Sequence, residues 1–383
     1  MTPSRRRRIR LAFLIVFTPL LAEGGAWCAG RVLQSKWAMY VDPLTPGEVR
    51  RSYEEYLALR DAELGWPFPS SFGRELAHDG TWPLPANAEL AGREPLVALY
   101  GDSFTWGQSN SDPEGSWPNH LARRLGRPVK NWAVPAYGTD QAYLRFRRHA
   151  EDRTPVVVLG HMAADMCRNL TRLRDLISNG NQRFAFKPRF VAGPEGGLEL
   201  VPLPALGPAE YRRLVGLEGP QLPLEHESFL PGGPTGAVRL EAPFTLAVAR
   251  NCGFWRFQAR VRGEPEYLPF YSPGHPLRGY EITRGILLAF DREARRRGQR
   301  PVVVLFPGPA DAAWCRRTGR NLFDPLAADL RAAGVEVLDF TPRLFEWLAG
   351  RDTEVAFDDA HYAAELEPVV ADAVLRRVVA RGP

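Results

Sequence analysis

Cysteine is scarce in this chain: four among 383 residues (Cys28, Cys167, Cys252 and Cys315), far apart, with no CxxC pair and no metal-ligand spacing. That excludes a disulfide-built scaffold and a zinc-finger type of site. Buried free thiols are the reading favoured by the spacing; in an exported body, Cys167, Cys252 and Cys315 could form at most one disulfide. The sequence also lacks a GxGxxG run and a P-loop lysine, so its glycine-rich turns are not those of dinucleotide or nucleoside-triphosphate sites. Net charge is small once the N-terminus is set aside. The formal +5 comes from Arg5, Arg6, Arg7, Arg8 and Arg10, and the remainder balances at 44 basic and 44 acidic residues. A body that is neutral on average has no general polyanion-binding field, which argues against a nucleic-acid partner. With 45% hydrophobic and 24% charged residues, the chain is of ordinary globular composition, and wholesale disorder is excluded.

Long apolar runs are also rare. The one that stands out, Leu11–Ala22, follows the arginine run directly and leads into Glu23, Gly24 and Gly25. A helix over Leu11–Gly30 would span about 30 Å, the hydrocarbon thickness of a bilayer. The arginines would stay on the cytoplasmic side and send the rest of the chain across. Pro19 and Glu23 shorten the purely apolar part to the length of a signal-peptide core, while Glu23 and Trp27 interrupt the small-x-small cleavage sites. The expectation is an uncleaved single-pass anchor in a bacterial inner membrane, with the body outside the cytoplasm. A cleaved signal and a soluble N-terminal helix are the alternatives. Glu23 reads as an interfacial residue or a helix-pairing group.

Residues 31–94, rich in Pro, Gly and Trp, read as a membrane-proximal segment wrapped onto the main domain. A regular alternation then begins. Apolar runs at 95–100, 129–134 and 155–160 read as buried parallel strands, separated by helices at about 115–126 and 139–150, the second with Thr139 as N-cap. The pattern stops over 176–275, a stretch too long for a bare loop and so expected to carry its own structure as a lid or cap. It resumes with a helix at 279–298, a strand at 301–306, a helix near 323–333, a strand at 335–340 and a last helix around 363–379. Five parallel strands with intervening helices make a three-layer α/β/α sandwich of flavodoxin-like type, interrupted by one long insertion.

In such a sheet, ligand chemistry collects at the carboxyl ends of the strands. Gly101-Asp102-Ser103-Phe104-Thr105-Trp106-Gly107 stands directly after the first strand. A serine at a strand-to-helix turn exposes its hydroxyl beside backbone N–H groups, which suits a nucleophile whose attack creates an oxyanion. Helix capping is the plainer reading of the same serine. A nucleophile needs a base oriented by an acid. Phe357-Asp358-Asp359-Ala360-His361-Tyr362 precedes the last helix, with Asp358 and His361 three residues apart. Asp102 reads as a turn-holding carboxylate and Asp359 as a poorly placed substitute for Asp358. Trp106 is a packing residue or a stacking surface for a sugar, and Arg168 and Asn169 could meet an anionic or sugar substrate.

These blocks, in this order, resemble those of the SGNH hydrolase superfamily, the GDSL-type esterases, acyltransferases and deacetylases. Gly101-Asp102-Ser103 is similar to the first family block and Asp358-x-x-His361 to the last. Asn131-Trp-Ala-Val-Pro-Ala-Tyr-Gly-Thr-Asp-Gln141 resembles the second, and the segment 156–165 occupies the third. The resemblance covers about 95–175 and 279–380. It implies a Ser103 nucleophile that also donates its N–H to the oxyanion, His361 as general base and Asp358 as its orienting acid, with no metal or organic cofactor. Two positions depart from the family pattern. Ala136 stands where a glycine usually offers its N–H, with Gly138 two residues later; an alanine serves if its φ is negative. The third block usually supplies an asparagine amide, but here reads Ala163-Ala164-Asp165, and a carboxylate donates only when protonated. Either Asn169 or another group substitutes, the catalysis is slower, or the site is retuned. Losing one such donor costs roughly 3–4 kcal/mol of transition-state stabilisation.

The resulting expectation is an extracytoplasmic serine esterase acting on an acylated glycan or a small ester. One alternative is O-acyl transfer to a cell-surface polysaccharide, as alginate O-acetyltransferases carry out with a similar domain. The other is a glycan-binding protein that kept the fold but little of the catalysis.

Overall fold

The computed structural model describes residues 3–37, 39–41, 52–65, 76–107, 113–177, 186–193, 197–215 and 224–380. The apolar runs become five strands: β1 (Val97–Tyr100), β2 (Val129–Asn131), β3 (Val156–Met162), β4 (Arg300–Phe306) and β5 (Val337–Asp339). All neighbours are parallel, in the order β2-β1-β3-β4-β5. The chain leaves β1 to one side for β2 and then returns to the other side for β3. This reversal opens a crevice at the carboxyl end of β1, where doubly wound sheets bind their ligands.

Side-chain alternation along the strands feeds two cores. Tyr100, Leu159, Val303 and Leu305 point to one face with Phe146, Ile286, Phe290 and Leu326. Leu99, Val158, Val304 and Phe306 point to the other with Trp117, Leu121, Val370 and Val374. The covering helices are α3 (Trp117–Leu125), α4 (Thr139–Arg148), α8 (Gly279–Arg296), α10 (Asp324–Ala332) and α12 (Glu367–Val379), close to their expected places. Two helices had no strong signal in the sequence: α9 (Pro309–Thr318) and α11 (Thr341–Trp347). Both carry Pro in the first turn, which marks a helix start as well as a loop. β2 ends earlier than expected, although Trp132 and Val134 still donate to Leu99 and Gly101 before Pro135 breaks the ladder. Thr139 is not an N-cap. Gly138 holds that position, and the Thr139 hydroxyl is directed into the core.

N-terminal to the sheet, α1 (Pro3–Trp37) runs past its expected end at Gly30, and its stretch Arg10–Trp37 is long and apolar enough to cross a membrane. Described parts of 31–94 lie on the body: Trp82 pairs with Asn131 by a backbone bridge, and Asp61 binds Arg148. The cysteines are free, but only Cys167 is buried.

The insert carries structure of its own. It includes a hairpin of Arg189–Ala192 with Leu198–Val201 and three helices, α5 (Pro208–Val215), α6 (Phe244–Asn251) and α7 (Trp255–Arg262). Its entry is fastened to the sheet domain by a buried ion pair between Lys187 and Asp140 of α4, at 2.5 Å, with Thr171 O and Pro188 O completing the ammonium's bonds. Lys187→Met leaves Asp140 buried without its cation and should cost about 3–5 kcal/mol of stability in urea unfolding. Adding Asp140→Asn should return a large part of that loss. Equal losses in the single and double variants would show that the pair does not hold the insert.

Candidate active site

Gly101 and Gly160 create the space for the nucleophile turn. A Cβ on either would fall within 2.0 Å of Thr105 Oγ1, so the short helix α2 (Ser103–Trp106) can fold back over the strand ends only because both are glycine. Asp102 caps this helix, accepting from Phe104 N at 3.0 Å and Thr105 N at 3.4 Å. Gly107 ends it in the left-handed region. Asn131 donates through Nδ2 to Trp106 O and so ties the second block to the same turn. Trp106 is buried against Trp82, with ring centroids 5.1 Å apart, and serves as packing.

His361 reaches this turn from the other end of the chain. It lies on a two-residue strand that pairs back on Phe357–Asp358 through a tight turn at Asp359 and Ala360. Tyr362 pins the hairpin: its hydroxyl donates to Pro307 O at 3.0 Å, and its ring meets Phe104 edge-on at 4.9 Å. Phe104 also contacts the His361 ring at 5.3 Å. The outcome is a 2.8 Å hydrogen bond between His361 Nε2 and Ser103 Oγ. Burial lowers the His361 pKa below its ordinary value, partly offset by the carboxylate of Asp102. The imidazole is therefore neutral at pH 7 and able to accept a proton. Phe104 and Tyr362 did not emerge from the sequence as positioning residues, although each stands next to a motif residue.

Asp358 is placed less tightly. It faces His361 directly across the hairpin, so both side chains leave the same face, but it is exposed and forms no hydrogen bond or ion pair with the imidazole.

The expected oxyanion and substrate groups are redistributed. Asn169 is not a free donor: its Oδ1 accepts from Asp140 N and its Nδ2 donates to Thr283 Oγ1. Gly138 N–H is directed to Gln141 Oε1 at 3.3 Å. Arg168 turns inward. Its Nη1 binds Asp165 at 2.8 Å, Asp102 at 3.2 Å and Tyr137 O at 2.9 Å, as the bridge of a buried ion cluster and not as a substrate-facing cation. Asp165 is fully buried. Burial and the nearby Asp102 charge raise its pKa well above the usual carboxylate range, yet its oxygens are already paired with Arg168 and Thr139. It is no oxyanion donor even when protonated.

Two backbone donors remain at the nucleophile turn and the second block, Ser103 N–H and Ala136 N–H, neither with an acceptor among the described residues. Contrary to expectation, the φ of Ala136 is positive, at 73°. Val134-Pro135-Ala136-Tyr137 forms a type II turn closed by Tyr137 N to Val134 O, and the third position of that turn favours glycine. Alanine there carries about 1–2 kcal/mol of strain, but in taking the conformation a glycine would adopt it keeps its N–H directed as a glycine's would be, so a negative φ is not required for the donor.

No protein-family model matches the chain, and no curated protein matches it. Among solved structures it is similar to a protein from Desulfitobacterium hafniense DCB-2 named for the G-D-S-L lipolytic family, with 15% identity and a TM-score of 0.34 over 73% of this chain and 98% of that one. It is also similar to the salicylyl-acyltransferase SsfX3 of a tetracycline biosynthetic pathway, with 14% identity and a TM-score of 0.35 over 76% of this chain and 56% of that one. The strand order brings the motif residues Ser103 and His361 together at the carboxyl end of β1.

Replacing Ala136 by Gly relieves the turn and keeps the N–H. Ala136→Gly should raise the unfolding free energy by roughly 0.5–1 kcal/mol, read by thermal denaturation. A destabilised variant would mean that the turn is not strained as described.

Proposed function

We propose that the protein is a serine esterase held at a membrane by α1, with Ser103 as nucleophile and His361 as general base. The observation that carries the reading is the 2.8 Å bond from the His361 Nε2 position to Ser103 Oγ at the N-terminus of α2. Ser103 Oγ attacks the ester carbonyl while its proton passes to His361 Nε2. The carbonyl oxygen becomes an oxyanion between Ser103 N–H and Ala136 N–H. Collapse of the tetrahedral intermediate expels the alcohol, which takes the proton from His361. Water then repeats the sequence on the acyl-enzyme and releases the acid. Asp358 is the orienting acid of this reading, closing on His361 Nδ1–H as positive charge develops on the ring. An acceptor hydroxyl in place of water would give acyl transfer by the same steps.

The substrate class is an acylated glycan or a small ester on the outer side of a bacterial inner membrane. The chain order supports this placement, with the arginine run in the first turns of α1, ahead of its apolar stretch, and the body after it. With two backbone donors and no side-chain amide free to join them among the described residues, turnover should be modest.

Ser103→Ala and His361→Ala should abolish p-nitrophenyl acetate hydrolysis in the folded, full-length chain. Asp358→Asn should lower kcat by at least about a hundredfold if its carboxylate orients the imidazole. Unchanged turnover would remove Asp358 from the triad. The rate requires neutral His361, whose pKa burial depresses. Activity should therefore rise with pH through a limb lying below about pH 6.5 and be full at neutrality. A limb above pH 7 would contradict the buried, neutral base.

A further inference from the structure

The insert does more than fill space beside the active-site domain. Four separate contacts fasten it to the second half of α1 and to the two-residue strand that follows the helix. The Glu23 carboxylate accepts from Phe244 N at 2.5 Å and from Thr245 N at 3.1 Å, the first amides of α6, and also from the Thr245 hydroxyl. Gly30 lies so close to Leu240 that a Cβ would fall 2.4 Å from its Cδ1. Trp37 meets Phe257 of α7 at 6.2 Å. Finally, Tyr40–Val41 pairs in parallel with Val238–Arg239 of the insert. The position of α6 is thus fixed relative to the helix that crosses the bilayer.

The depth of that contact follows from helix geometry. Glu23 is 13 residues beyond Arg10, about 20 Å along the axis, whereas the hydrocarbon layer is about 30 Å thick. With Arg10 at the cytoplasmic boundary, Glu23 and the start of α6 lie inside the outer leaflet. A carboxylate at that depth needs partners, and the α6 amides supply them. The exposed side of α6, which borders an open cleft with Pro231, Arg239 and Glu241, suits the same setting. Leu246 is 44% exposed, Pro243 is exposed before it, and Arg250, also exposed, stands at the C-terminal end. A long basic side chain near the end of an apolar helix can extend to the phosphate level.

We propose that α6 is a second membrane-seated element, embedded in the outer leaflet against α1, with lipid covering Pro243 and Leu246 and headgroups meeting Arg250. This rests on the reading of α1 as an anchor. The insert then acts as a saddle: it holds the catalytic domain at a fixed height and tilt on the bilayer, so that the site works on esters near the membrane surface.

The test uses the full-length chain with its native cysteines replaced, reconstituted in vesicles of phosphatidylcholine and phosphatidylglycerol. An environment-sensitive fluorophore is attached in turn at Leu246→Cys, at Ile15→Cys in α1 and at Arg153→Cys on the exposed surface of the body. The label at 246 should behave like that at 15, quenched by nitroxide lipids and protected from aqueous iodide, with 153 quenched by iodide. Adding Glu23→Ala, which removes one of the four contacts, should weaken the lipid quenching at 246 and leave that at 15 intact. Iodide quenching at 246 with lipid quenching at 15 would overturn the seat and keep the anchor. Iodide quenching at both would overturn the anchor, and the seat with it.

Discussion

The proposed active site depends on one hydrogen bond between residues 258 positions apart in the chain, His361 to Ser103. Neither partner is held by its own local structure alone. Ser103 is fixed by a four-residue helix that survives because Gly101 and Gly160 leave room for Thr105. His361 is fixed by a short hairpin that would be marginal by itself and is clamped by Tyr362 against Phe104 and Pro307. The clamp and the nucleophile turn share Phe104, so the two halves of the site are set by the same packing contact. A parallel sheet whose strand order reverses beside β1 supplies the crevice in which they meet.

Beneath that surface lies a second constraint, the bridge of Arg168 to Asp102 and Asp165. Two buried carboxylates share one guanidinium nitrogen, so full ionisation of both is poorly compensated. Burial and the neighbouring charge favour a proton on Asp165. Asp102 at the same time caps α2 and lies close enough to His361 to favour its charged form, while Arg168 opposes it. The basicity of the imidazole is therefore set largely by burial and by this cluster. An ion cluster thus stands behind Ser103 where the resemblance would place a side-chain amide, and the proposed oxyanion donors are backbone N–H groups.

The parts of this arrangement that were legible in the sequence are those with local signals. Apolar runs of Val and Leu gave the strands, and the position of Ser103 and His361 after strand ends gave the pair. What stayed hidden depends on tertiary direction. Nothing in Ala136 announces a positive φ; only the closed turn after Pro135 reveals it. Arg168 and Asn169 read as substrate-facing because their partners, Asp102 and Thr283, are 66 and 114 residues away. Glu23 looked like an interruption of an apolar helix because the α6 amides that satisfy it are more than 200 positions downstream.

The central claim is that Ser103 is a nucleophile activated by His361. Intact-mass analysis of the full-length protein after exposure to a fluorophosphonate tests it most directly, since phosphonylation needs the activated hydroxyl and no natural substrate. The account predicts one adduct, mapped to Ser103, absent in Ser103→Ala and strongly slowed in His361→Ala. A folded wild-type protein that takes no adduct, or one that labels equally in the two variants, would contradict it.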